Sequence, residues 1–159
     1  MNIKITANSL LNFAIKKLAE IFGITVFLLG IMLFISLFTY SPEDPNYIFP
    51  NNTNIKNLLG FRGSFISDLF FQSFGLIAYL ISFTFIISGI NIFRIKEFFL
   101  IIENIFFSVL YTFFGTLYVS YFYSNGFTLY INGNGGFIGI YLNKTFLNSI
   151  IQSNENIFY

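Results

Sequence analysis

Ile21-Phe22-Gly23-Ile24-Thr25-Val26-Phe27-Leu28-Leu29-Gly30-Ile31-Met32-Leu33-Phe34-Ile35-Ser36-Leu37-Phe38-Thr39-Tyr40 is an unbroken run of twenty residues without a charge. At about 1.5 Å rise per residue a helix of that length matches the roughly 30 Å hydrocarbon core of a bilayer, so residues 21–40 are read as a first transmembrane helix. Lys4, Lys16 and Lys17 precede the run, as they would in a signal peptide. The apolar part of a signal peptide is only about 7 to 15 residues long and ends at a small-x-small cleavage site. Leu37-Phe38-Thr39-Tyr40 offers no such site, so the run reads as an uncleaved anchor. Upstream, Leu10, Leu11, Ala14, Ile15 and Leu18 recur at helical spacing among Lys16, Lys17 and Glu20. That spacing predicts a separate interfacial helix in a cytoplasmic segment, residues 1–20.

Two further runs follow. Residues 69–93 contain 25 positions without a charge, enough to cross with some tilt, and residues 98–122 form a third run with Glu103 near its start. Apolar and polar residues do not alternate along them, and backbone groups in lipid must be satisfied within the segment, so helices are expected and barrel strands are not. The fold class predicted is all-α, a polytopic helical membrane domain. Lys and Arg set its orientation. Lys4, Lys16 and Lys17 lie before the first span, and Arg94 and Lys96 lie in the turn at residues 94–97, which places both segments in the cytoplasm. The loops at residues 41–68 and 123–136 then lie outside, with only Lys56 and Arg62 as cations.

Composition agrees and excludes several functions. Of 159 residues, 55% are hydrophobic, 22% aromatic and 9% charged, and the mean hydropathy is +0.73. Soluble domains carry roughly a quarter charged residues, so this chain lacks the polar surface to live in water. It has no His, no Cys and no Trp. Zinc centres, haem ligation by His or Cys, iron-sulfur clusters, Cys nucleophiles and Ser-His-Asp triads are absent by inventory. A net charge of +1 gives no sign of nucleic-acid binding. The 25 Phe, beside only four Ala, reflect AT-rich codon usage as much as structure and carry no functional weight.

The outer loop opens with Ser41-Pro42-Glu43-Asp44-Pro45-Asn46, whose prolines and turn-forming acids stop the first helix. Gly60 and Gly63 flank Arg62, and Ser64 is expected to cap the second span with Asp68 near the positive helix end, an electrostatic role with no chemistry. Asn132-Gly133-Asn134-Gly135-Gly136-Phe137-Ile138-Gly139 superficially resembles a phosphate-binding loop. It lacks the Lys-Ser or Lys-Thr of a Walker sequence and has Ile138 where a dinucleotide fingerprint needs Gly. Residues 137–152 suggest an amphipathic helix, with Leu142, Phe146, Leu147, Ile150 and Ile151 opposite Lys144, Thr145, Asn148, Ser149 and Gln152, and with Asn143 as a break. Residues 153–159 read as the start of a fourth span cut short; a three-span chain ending outside is the alternative.

Small residues mark where helices can approach closely in lipid. Gly75, Ala78, Ser82 and Gly89 form one such stripe, Ser108, Thr112, Gly115 and Thr116 another, and Gly23 and Gly30 lie one heptad apart. These faces fit an oligomer interface and packing within one chain equally well. Glu103 is the one acid that could reach lipid depth, and it is expected to reach water or pair with Lys96. Gln72 and Asn91 stand near span ends, leaving no polar relay for ions or protons.

Tyr40-Ser41-Pro42-Glu43-Asp44-Pro45-Asn46, directly after a first span, resembles the aromatic-Ser-x-Pro-x-Asp-Pro signature of the amino-terminal membrane domain of FtsK/SpoIIIE DNA translocases. Asn57, Gly60, Gly63 and Asp68, followed by Phe74, Gly75 and Ala78, are similar to that family's lead into its second span. Gly135, Gly136 and Gly139 are similar to its Gly-Gly-x-x-Gly after the third. Leu59 stands where Gly is common, and Ser64 and Ser67 stand where Ala is usual. The resemblance covers about residues 20–155 and implies a four-span anchor that holds a cytoplasmic hexameric ATPase at the division septum. Anchoring, hexamer formation in the bilayer and contact with other septal division proteins, in the bacterial inner membrane with the amino terminus cytoplasmic, are what it implies for this chain. ATP, Mg and DNA are implied only for the motor, whose Walker sequences are not here, so the chain itself is expected to have no catalytic, cofactor or metal site. A small transport or channel subunit and a stand-alone septal scaffold are the rival readings.

Overall fold

A computed structural model describes residues 3–46, 54–123, 132–147 and 149. Among these the chain is all-helical: α1 Ile3–Phe38, α2 Gly60–Phe74, α3 Ile77–Ile95, α4 Phe99–Phe122, α5 Gly136–Leu142 and a π-helical turn Asn143–Leu147. Three helical segments are long and apolar enough to cross a membrane, Asn8–Phe38, Ile77–Ile95 and Phe99–Phe122.

α1 corrects the first expectation. The interfacial segment and the span are one helix of 36 residues, about 54 Å long, which exceeds the hydrocarbon thickness. Helical periodicity runs through Lys16, Lys17 and Glu20 without a Gly or Pro to break it, so the charges do not stop the helix.

The second span is also corrected. Residues 69–74 belong to α2, the chain breaks at Gly75 and Leu76, and the crossing helix starts at Ile77. Gly75 adopts φ 57° and ψ −137°, a backbone conformation open only to glycine. Its amide still bonds Phe71 O at 2.9 Å, while Leu76 N turns away to donate to Asn134 O at 2.9 Å. The uncharged run hid this break because α2 buries its apolar face in protein, with Phe71 fully covered.

α3 lies antiparallel along α1, and glycine lets the two backbones meet. A Cβ on Gly23 would stand 2.6 Å from Phe93 N, and one on Gly30 would stand 2.7 Å from Ile86 N. Gly89 faces the backbone of Phe27 and Gly23 in return. Near the Tyr40 end of this pair, Leu33, Leu37, Phe71, Ala78 and Ile81 form the apolar core, with Tyr40, Phe74, Tyr79 and Tyr111 around it. α4 is held less closely. Its buried residues are Thr116, Leu117 and Ser120, all in its last two turns.

α5 buries Gly136 and Gly139, and of the expected apolar stripe Leu142 is half-buried while Phe146 is exposed. At Asn143, the residue that breaks the pattern, the helix loosens into the π turn. The rest of the expected helix, residues 148 and 150–152, and the fourth-span start at residues 153–159 lie outside the described residues.

Candidate functional site: a polar joint at the Tyr40 end

The loop after α1 folds back on that helix through Asp44. Its buried carboxylate accepts the amides of Lys56 and Asn57, both at 2.8 Å. Asn57, also buried, donates through Nδ2 to Ser36 O at 2.8 Å and accepts Leu59 N at 3.0 Å. One side chain therefore satisfies a helix-end carbonyl and fixes the turn that starts α2. Gly60 begins α2 at φ 66°. Gly63 lies against the Asn57 amide with no room for a Cβ, and its carbonyl accepts from Ser36 Oγ at 2.6 Å. Pro45 is fully buried, and its carbonyl accepts from Ser64 Oγ at 2.8 Å.

Ser64 and Asp68 do not cap a helix. α2 starts at Gly60 with Leu59 before it and no side-chain cap, which leaves both residues in the helix interior. Asp68 is buried and accepts from Tyr40 OH at 3.1 Å and from Gln72 Nε2 at 3.4 Å. The Tyr40 ring also packs on Phe71, with centroids 4.9 Å apart.

Gln72 carries the network onward. Asn132 Nδ2 donates to Gln72 O at 3.2 Å and to Oε1 at 3.1 Å. Gly75 packs against the Asn134 carbonyl, and a Cβ on Gly136, at φ 65°, would stand 2.6 Å from Gly75 N. Asn134 Nδ2 donates to Tyr123 O at 2.9 Å, tying this loop to the end of α4. Gly135 and Gly139 seat α5 on α4, where a Cβ would meet Thr116 O at 2.7 and 2.5 Å respectively. The glycine-rich loop is thus a packing surface, with its backbone held against two helices.

Three stretches distant in sequence meet here. Tyr40, Asp44 and Pro45 join Asn57, Gly63, Asp68 and Gly75, which in turn join Gly135, Gly136 and Gly139. Phe74 flanks the apolar core and Ala78 sits inside it. Ser41 and Pro42 stay near the surface, with Ser41 Oγ 3.4 Å from the Glu43 amide. Beside them, Lys56 Nζ pairs with Glu43, which holds that exposed carboxyl below the usual carboxylate range and raises the Lys56 ammonium.

Residues 16–153 match the family described as the 4TM region of DNA translocase FtsK/SpoIIIE. The chain belongs to that family. No curated protein and no solved structure matches it. The 4TM region is a membrane domain and not a catalytic one, consistent with the three spans described above.

Glu103 does not pair with Lys96, whose Nζ instead lies 2.6 Å from Glu20 Oε1. Glu20 Oε2 also meets Lys17 Nζ at 2.7 Å, so the end of α3 and the charged part of α1 are joined. Ala78, Ser82 and Gly89 are buried within the chain, Gly89 directly against α1, while Gly75 lies at the α2–α3 break outside the span. Of the second stripe, Gly115 meets the Ile77 side chain and Thr116 is fully buried. Ser36, Thr39, Gln72, Asn132 and Asn134 complete the joint and were not singled out for it. Their only signal was that polar residues clustered at both ends of apolar runs.

Proposed function

We propose that this 4TM region anchors a cytoplasmic DNA-translocating motor at the bacterial division septum and fixes its position in the inner membrane. The observation that carries the reading is the match across residues 16–153 to the translocase membrane region, over a chain with three membrane-crossing helices. The Lys96 end, where Lys17 and Lys96 meet at Glu20, faces the cytoplasm in this proposal, because cations are retained on that side. The polar joint then faces outward, where septal division proteins would meet it. Assembly into a hexamer and contact with those proteins belong to the same proposal. ATP, Mg and DNA engage the motor, and this region needs no cofactor of its own.

The test is to fuse a fluorescent protein to the amino end and follow it through division. A band at midcell as the septum closes is the expected result. Uniform labelling of the cell envelope, with intact membrane insertion, contradicts the septal role.

A further inference from the structure

Between α1, α2 and α3 a cavity of about 450 Å³ opens beside the polar joint. Its walls are apolar, formed by Leu29, Met32, Leu59, Ile66 and Phe85, with Arg62 the cation among its lining residues. Along α1 it extends from Ser36 to Leu29, seven residues or about 10 Å of helix toward the middle of the span. Arg62 is exposed and makes no ion pair among the described residues. In a membrane-crossing chain an apolar cavity open at the side meets acyl chains, and a guanidinium at the edge of the hydrocarbon layer needs an anion that can accept its fork of N–H donors.

We propose that this cavity binds one anionic phospholipid, with the phosphate on Arg62 and an acyl chain running down α1 toward Leu29 and Phe85. Charge and shape select the occupant together. Arg62 supplies the only charge in the lining, and the 10 Å apolar floor below Ser36 matches a chain and not a second headgroup. Bound there, the lipid fills the angle between α2 and the α1–α3 pair and braces the helix that carries Gly63 and Asp68. The inference rests on the membrane assignment and is independent of the septal role.

The full chain, reconstituted in vesicles of equal parts phosphatidylcholine, phosphatidylethanolamine and phosphatidylglycerol and extracted in mild detergent, is assayed for retained lipid by mass spectrometry. In the retained lipid phosphatidylglycerol is expected to outnumber each of the other two lipids at least fivefold, against the offered one to one, at near one per chain. Arg62→Gln should return retention to the offered ratio. Ile66→Trp, which fills the cavity and keeps the cation, should do the same. Retention in the offered ratio by the unaltered chain overturns the proposal, as does enrichment that survives either substitution. Since the chain has no Cys, Ile66→Cys also tests for a protein occupant. No disulfide-linked dimer is expected, and efficient crosslinking would give the cavity to a second copy and overturn the lipid assignment.

Discussion

At the Tyr40 end, Asp44, Asn57, Ser64, Asp68 and Asn134 are all buried and hydrogen-bonded to loops or helices far away in sequence. Toward the Lys96 end, the contacts are backbone against backbone at Gly23, Gly30 and Gly89, plus the Glu20 ion pairs at the surface. There α4 faces α1 and α3 across a cavity lined by Val26, Ser88, Ile92 and Asn104, and none of its residues before Thr116 is buried. The difference follows from what each environment rewards. In lipid there is no hydrophobic drive to bring helices together, so close approach through glycine and dispersion holds α1 to α3. Where the helices end, loops must satisfy their own backbone groups; at the joint Asn134 Oδ1 is the one described buried side-chain atom left unpaired, and each further lost partner would add another. The joint should therefore respond steeply to single changes and the other half more gently.

Gly75→Ala should give the largest effect. A Cβ there meets the Asn134 carbonyl in a conformation closed to alanine, and a loss of at least about 3 kcal/mol is expected. Thermal melting in detergent, followed by circular dichroism, would read it; an unchanged midpoint would break the comparison. Asp44→Ala comes next, at about 2–4 kcal/mol, because two amides lose their acceptor and one of them is buried. Gly89→Ala probes the other half. The added methyl would stand 2.7 Å from Gly23 O, and about 1–3 kcal/mol is expected as the α1–α3 pair separates slightly. If Gly89→Ala costs more than Asp44→Ala, the ranking of the two regions is reversed.

Asp68→Asn should cost only about 1 kcal/mol, since the amide oxygen still accepts from Tyr40. The smallest effect belongs to Glu43 and Lys56. Because the folded-state carboxyl lies below its ordinary value, its contribution is present above the ordinary carboxylate pKa of about 4.3 and is lost as pH falls through the depressed one. Lys56 is raised, so its contribution is present below the ordinary lysine value and is lost as pH rises through the folded one. Both groups are exposed, so Glu43→Gln should flatten a shallow acid limb of the melting curve and leave the neutral midpoint in place.

Much of this fold was legible in single residues and much was not. Hydropathy found all three crossing helices, and α4 at Phe99–Phe122 lies within one residue of its expected start. The break at Gly75 was invisible, because a run without charges looks the same whether lipid or protein covers it. Ser64 and Asp68 were misplaced for the same reason: with the helix start put at residue 69, they became caps, whereas α2 begins nine residues earlier. The signature residues Tyr40, Asp44, Asn57 and Gly136 could be named in sequence, but their convergence depends on contacts across 13 to 28 positions within the first two stretches alone. Gln72 and Asn132, 60 positions apart, carry no periodicity that would pair them.

The contrast between the two halves is tested most directly by spin-label distances, for which the absence of Cys is an advantage. One label pair goes on exposed Phe38 of α1 and Phe122 of α4, at the joint, and a second on exposed Ile24 and Phe106, over the looser half. A narrow distance distribution for the first pair and a clearly broader one for the second, in vesicles, is the predicted result. Distributions of equal width, or a broader one at the joint, would contradict the account.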